Sequence, residues 1–139
     1  MADEQQIAEL TAEDVAALQK QRAFIESFIA DDESRAKYEK PAGKLGLLRA
    51  LLAANAFGPD QTWELQSMGV VLGDAFVQEL GLAWVMVEDE YGRDPAVSVP
   101  GTSTLLFPLT MISKRIEEGK PIDVFDLFNW TAAQLEELQ

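Results

Sequence analysis

A strand, a charged turn and a returning strand can be read directly between Gly81 and Arg115, GLAWVMVEDEYGRDPAVSVPGTSTLLFPLTMISKR. Leu82–Val87 is a short apolar run with valine and tryptophan, the composition of a strand. Alternation sends Trp84 and Met86 one way and Ala83, Val85 and Val87 the other. Both sets are apolar, so this strand is expected to be covered on both faces or central in the sheet. Glu88–Asp94 is the turn. Ala96–Val99 returns as the partner, with Pro95 at its first position, where a missing N–H does least harm. Pro100–Ser103 turns again, and Thr104–Phe107 supplies a third strand. The rest of the chain has helical spacing and must pack on this small meander.

The preceding segment, Gln61–Leu80, carries Leu65, Met68, Leu72, Phe76 and Leu80 at spacings of three and four, with Asp60 as its expected cap. Val70, Val71 and Val77 extend the apolar surface around the cylinder, which marks a central helix. Gly69 and Gly73 lie on one face of it. Each costs about 1 kcal/mol against alanine in a helix, and close approach of another backbone is the expected compensation. Gly81 suits a left-handed C-terminal cap. After the meander, Pro108 fits a first helical turn. Leu109, Ile112 and Ile116 form that helix's stripe, Lys114 and Arg115 lie toward its end, and Gly119 with Pro121 stops it. Asp123 starts a short helix through Phe128, and Thr131 starts another to about Leu138.

On the N-terminal side, residues 1–10 are polar and expected to be disordered. Thr11 and Asp14 have capping-box spacing, and a helix follows over about Thr11–Ala30. Asp31–Arg35 is a charged break or a second helical start, and Lys37–Gly43 is a linker. Leu45–Leu52 forms a short apolar helix that stops before Gly58-Pro59. The order of helices, meander and helices predicts an α+β fold: a three-stranded antiparallel meander at about 82–107, packed by five to six helices in one domain. Within that domain, 11–58 are N-terminal helices, 60–128 the core and 131–138 a last helix.

Several motifs now fall in order: Leu72-Gly-Asp-Ala-Phe76, Gly81-Leu-Ala-Trp84-Val85, Asp89-Glu-Tyr-Gly92-Arg93, Phe107-Pro108-Leu109 and Ser113-Lys-Arg115. Together they resemble a bacterial domain of unknown function, number 3806 in that series, over about Trp63–Phe128. The resemblance implies a bacterial source. It brings no catalytic residue with it, and it leaves Thr11–Gly58 outside.

Composition narrows the chemistry. The chain has no cysteine and no histidine, so disulfides, thiolate nucleophiles and Ser–His or Cys–His catalysis are excluded. Its net charge of −13 over 139 residues opposes binding to nucleic acid and to anionic membrane surfaces. The N-terminus lacks the basic and apolar regions of a secretory signal, and no apolar run approaches a membrane span, so a cytoplasmic protein is expected. Neither catalytic nor metal-ligating residues nor a cofactor are expected. Glu88, Asp89, Glu90 and Asp94 surround one turn, but they lack the alternating spacing of a calcium loop, and strand alternation divides them between two faces. Gly101–Thr104 lacks the lysine of a phosphate loop and reads as a turn.

Asp74 is the one acid in the most apolar part of the central helix and needs a partner if buried. Arg115, with Lys114, is the expected source, pairing with Asp74 or with Asp89. The candidate site is therefore Asp74, Asp89, Glu90, Tyr91, Arg93, Lys114 and Arg115. The leading expectation is a non-catalytic domain that binds another protein, of basic character, or a small ligand, through its sheet and the Glu88–Asp94 turn; an inhibitor of a basic toxin is one version. The competing expectation is an enzyme or small-anion receptor with a pocket of Asp74, Asp89, Lys114 and Arg115.

Overall fold

The computed structural model describes residues 5–137. Ten elements follow one another: β1 (Gln6–Ala8), α1 (Ala12–Glu26), α2 (Asp32–Tyr38), α3 (Pro41–Ala53), α4 (Thr62–Leu80), β2 (Ala83–Asp89), β3 (Gly92–Ser98), β4 (Leu105–Leu106), α5 (Pro108–Glu117) and α6 (Val124–Glu137). The fold is α+β, as expected, with one antiparallel sheet in the order β1-β2-β3-β4.

The sheet has four strands rather than three. The extra one comes from the N-terminal stretch that the sequence marks as disordered: Gln6, Ile7 and Ala8 pair with Glu88, Val87 and Met86. Three residues of mixed polarity give no periodicity to read; the strand exists because β2 offers an edge. The β2–β3 hairpin is tighter than expected. Asp89 pairs with Gly92, leaving Glu90 and Tyr91 as the turn, and Gly92 takes φ 136°, a value that side chains disfavour. Pro95 is inside β3, opposite Met86. Because β4 reaches only Val97 and Ser98, β3 has no neighbour on that side at Pro95, an edge position that tolerates proline. Both faces of the hairpin carry buried residues, Met86 and Val97 on one, Val87 and Ala96 on the other.

The helix α4 is the centre of the molecule. Leu65, Val70, Val71, Leu72, Ala75 and Phe76 have no solvent exposure, and Phe76 stacks on Phe128 of α6 at 4.7 Å. Gly69 and Gly73 are where α5 and the sheet come close. A Cβ at Gly69 would stand 2.4 Å from the Leu109 Cα and 2.5 Å from the Pro108 carbonyl oxygen. One at Gly73 would meet the Trp84 ring at 2.4 Å. Gly81 ends α4 in the left-handed conformation, φ 67°.

Around this centre several boundaries shift. The helix α1 begins as expected, with Thr11 and Asp14 exchanging side-chain-to-backbone hydrogen bonds of 2.8 and 3.1 Å, but ends at Glu26. The charged stretch after it is a true helix, α2, capped by Asp31 accepting from the Ser34 N–H. The expected linker Lys37–Gly43 is the junction of α2 and α3: Pro41 starts α3, and a Cβ at Gly43 would lie 1.7 Å from the Lys37 carbonyl oxygen. Asp60 does not cap α4, whose first residue follows Gln61 with no side-chain cap. The two expected C-terminal helices are one. Thr131 is a buried mid-helix residue whose hydroxyl donates to the Leu127 carbonyl at 2.8 Å, so its capping-box spacing has no cap to make. The final residue expected for that helix, Leu138, lies outside the described residues.

Candidate functional site

Asp74 is held from the other direction than the sequence suggests. Its carboxylate accepts from Arg22 of α1 twice, Nε to Oδ2 at 2.5 Å and Nη2 to Oδ1 at 2.9 Å. Trp84 of β2 donates its indole N–H to the same Oδ1 at 3.0 Å. Arg22 is further oriented by Gln19, which accepts from Nη1 at 2.8 Å. The hydrogen bonds to Asp74 hold the guanidinium above its ordinary pKa, against the opposing effect of burial. One carboxylate thus ties α1, α4 and the sheet together, with side-chain exposures of 23% for Arg22 and 12% for Asp74. The expected Arg115–Asp74 pair does not form. Arg115 instead donates to the Met111 carbonyl of its own helix at 2.8 Å.

The hairpin follows the same pattern. Arg93 does not sit within its own acidic turn. It makes a bidentate pair with Asp14 of α1, at 2.5 and 2.6 Å, beneath the N-terminal capping box. The Arg93 hydrogen bond, then the Thr11 backbone N–H, hold the Asp14 carboxyl well below the usual carboxylate range. Asp89 accepts from the Tyr91 N–H at 2.8 Å and so shapes the turn instead of facing a ligand. Tyr91 is 87% exposed, and Glu88, Glu90 and Asp94 are exposed around it.

Lys114 and Arg115 lie in different places. Lys114 lines a small cleft with Asp94 and Phe107, while Arg115 lines another with Trp130 and Asp126. The four residues of the expected pocket, Asp74, Asp89, Lys114 and Arg115, therefore do not converge: the two acids are committed to structural partners, and the two cations face separate clefts. Among the described residues no three acidic side chains come together as a metal site.

A larger concavity lies elsewhere, on residues absent from the sequence-based candidates. A groove of about 640 Å³ runs between α2, α3 and the start of α6. Phe28, Leu47 and Phe125 supply its apolar side chains, with Gly46 and Ala50 also in its lining. Lys37, Lys40 and Arg49 line it as well, and no carboxylate does. The close α2–α3 contact at Gly43 fixes one wall. Arg49 fixes the other by placing its guanidinium 4.6 Å from the Phe125 ring centroid.

Beneath the groove, Lys44 is buried, donates to the Tyr38 carbonyl at 2.8 Å and sits over the Tyr38 ring. Burial lowers its pKa. Burial likewise pushes the Tyr38 hydroxyl upward, reinforced by the charge of Glu26. That hydroxyl has no hydrogen-bond partner; Glu26 acts on it by charge rather than by a formed bond. The signal for this region was present in the sequence. Arg35, Lys37, Lys40, Lys44 and Arg49 bring five of the 11 basic residues into one short segment, with Glu39 the only acid among them.

With this geometry in hand, comparison with known proteins gives a family. The model described as Domain of unknown function (DUF3806) matches residues 44–128. The chain belongs to that family. The DUF3806 region begins in α3, earlier than the expected start at Trp63, and ends in α6. It contains Asp74, Trp84 and Arg93, whereas their partners Arg22 and Asp14 lie on α1 outside it; it also contains one wall of the groove but not α2. No curated protein matches the chain. A crystal structure from Bacteroides thetaiotaomicron VPI-5482, at 1.50 Å resolution, is similar in fold: TM-score 0.75 and 10% identity, over 95% of this chain and 48% of that one. This DUF3806 chain therefore spans about half the length of that protein.

Proposed function

We propose that this is a non-catalytic binding domain of the bacterial cytoplasm, with its ligand seated in the groove between α2, α3 and α6. The observation that carries the reading is the contrast between the two kinds of charge in the molecule. The ion pairs at Asp74 and Arg93 are consumed in joining α1 to α4 and to the hairpin. The cations of the groove instead border an open apolar concavity of a volume that suits a small ligand. The lack of histidine and cysteine and the dispersal of the candidate acids favour binding over catalysis. No helix among the described residues is long and apolar enough to cross a membrane.

The test is a fragment titration followed through backbone amide resonances, on the natural chain and on Gly46→Leu. An added Cβ at Gly46 meets nothing within 4 Å, so a leucine there leaves the helix without a backbone clash at a position that lines the groove. Fragments that perturb residues 43–50 and lose their effect in Gly46→Leu support the reading. Fragments that bind both proteins equally would refute it.

A second reading is favoured by the exposure of Tyr91 at the hairpin tip among acidic neighbours: a contact with a basic protein partner, as an inhibitor of a basic protein would make. Joint reversal of Glu88, Glu90 and Asp94 to lysine tests it without disturbing Asp89, which the turn requires. Capture of basic lysate proteins by the natural chain and the reversed one alike would exclude this surface.

A further inference from the structure

We infer that the groove between α2, α3 and α6 binds an anionic amphiphile, a molecule with an extended aliphatic tail and a carboxylate head. The inference rests on the groove being the ligand site and adds the class of ligand. Two features of the groove select it. The tail requires an apolar surface, which Phe28, Leu47 and Phe125 supply beside Gly46 and Ala50. The head requires cations that are not already neutralised. Lys40 and Arg49 line the groove, and neither is among the salt bridges of the described residues. Lys37 reaches Glu33 only at 3.5 Å in a pair exposed on both sides, a contact of little strength. Lys44 is not available, since its ammonium is committed to the Tyr38 carbonyl.

Charge complementarity argues against the other occupants. In a chain of net charge −13, a groove lined by three cations and no acid runs counter to the rest of the protein. A cationic ligand would gain from the protein's long-range field but meet like charge at the groove itself. An anion gains only there, because distant acids are screened beyond about 8 Å at physiological salt, so the local lining decides. A neutral amphiphile would use the walls and leave the cations without a role.

The experiment titrates decanoate, decanol and decyltrimethylammonium, each below its aggregation concentration, and follows backbone amides by NMR. Decanoate is expected to shift residues 43–50 and Phe125, with an affinity that falls as salt rises. The Lys37→Gln/Lys40→Gln double variant is expected to weaken it about tenfold, and Gly46→Leu to abolish it while remaining folded. Equal binding of decanol and decanoate, or no effect of the glutamine variant, would overturn the anionic class while leaving the groove as a ligand site. Silence of the groove resonances toward all three amphiphiles, or unchanged decanoate binding in Gly46→Leu, would overturn both. If an acidic amphipathic peptide binds the groove while decanoate does not, the small-molecule assignment fails and the occupant is a protein helix.

Discussion

Replacing two glycines by alanine, each inside a helix, should move stability in opposite directions. Alanine gains about 1 kcal/mol over glycine in a helix interior when nothing else changes. At Gly46 nothing else changes: the new methyl has no neighbour within 4 Å, so Gly46→Ala should stabilise by close to that amount. At Gly69 the same methyl would lie 2.4 Å from the Leu109 Cα and 2.5 Å from the Pro108 carbonyl oxygen. Carbon atoms in contact prefer about 3.5–4.0 Å, so α5 must retreat by more than 1 Å from α4. The obstruction is backbone, which cannot rotate away as a side chain can. Overpacking of this kind costs roughly 1–3 kcal/mol and sometimes more, and the retreat also loosens Ile112, which has no solvent exposure. Set against the helical gain of about 1 kcal/mol, Gly69→Ala should destabilise by up to about 2 kcal/mol. For a chain of this size that corresponds to a fall in Tm of up to roughly 8 °C, against a rise of about 3–4 °C for Gly46→Ala. Urea unfolding followed by circular dichroism, with thermal melts beside it, measures both. A Gly69→Ala protein as stable as the natural one would mean that α4 and α5 do not meet backbone to backbone, and the account of the central helix would fail.

Asp74→Ala should cost about 2–4 kcal/mol, because it strands a half-buried guanidinium and an indole N–H at once; a double-mutant cycle with Arg22→Gln should show strong coupling in urea unfolding, and additive effects would count against the pair. Tyr38→Phe removes a buried hydroxyl without a partner and should be neutral or stabilising, by up to about 1 kcal/mol; a clear loss of stability would reveal a bond that the geometry lacks. The Asp14 carboxyl is held below its ordinary pKa by Arg93. A depressed carboxyl contributes stability above the unfolded-state pKa, near 4, and loses it as pH falls through the folded-state value. Asp14→Asn should therefore lower the urea midpoint at pH 7 and leave a smaller difference from the natural chain in strong acid; equal differences at both pH values would refute the linkage.

Much of the α+β plan was legible because it depends on periodicity and punctuation. Leu65 to Leu80 repeat at helical spacing, Trp84 to Val87 read as a strand, and Gly81 and Gly119 end helices at the φ values that glycine tolerates. The boundaries that slipped are those where a neighbour decides. Thr131 has a cap's spacing but sits mid-helix because Phe128 and Leu135 on either side are buried together. Residues 6–8 become a strand only because β2 presents an edge to them. The candidate site was least legible. Asp74 is the acid that the sequence singles out as needing a partner, but that partner is 52 residues back along the chain, and Arg93 finds Asp14 across 79. No spacing rule carries information over such separations.

By itself, the sequence determined the local chemistry: which segments coil or extend, the requirement for close backbone contact at Gly69, the absence of histidine and cysteine chemistry, and the acidity of the surface. Only the tertiary structure decided which charges are used up and which remain. Helical and strand periods are set by bonds among near neighbours, so they are written locally. The pairing of α1 with Asp74 and Arg93, and the groove left between α2, α3 and α6, arise only when separate helices pack and bring side chains distant in sequence within reach of one another.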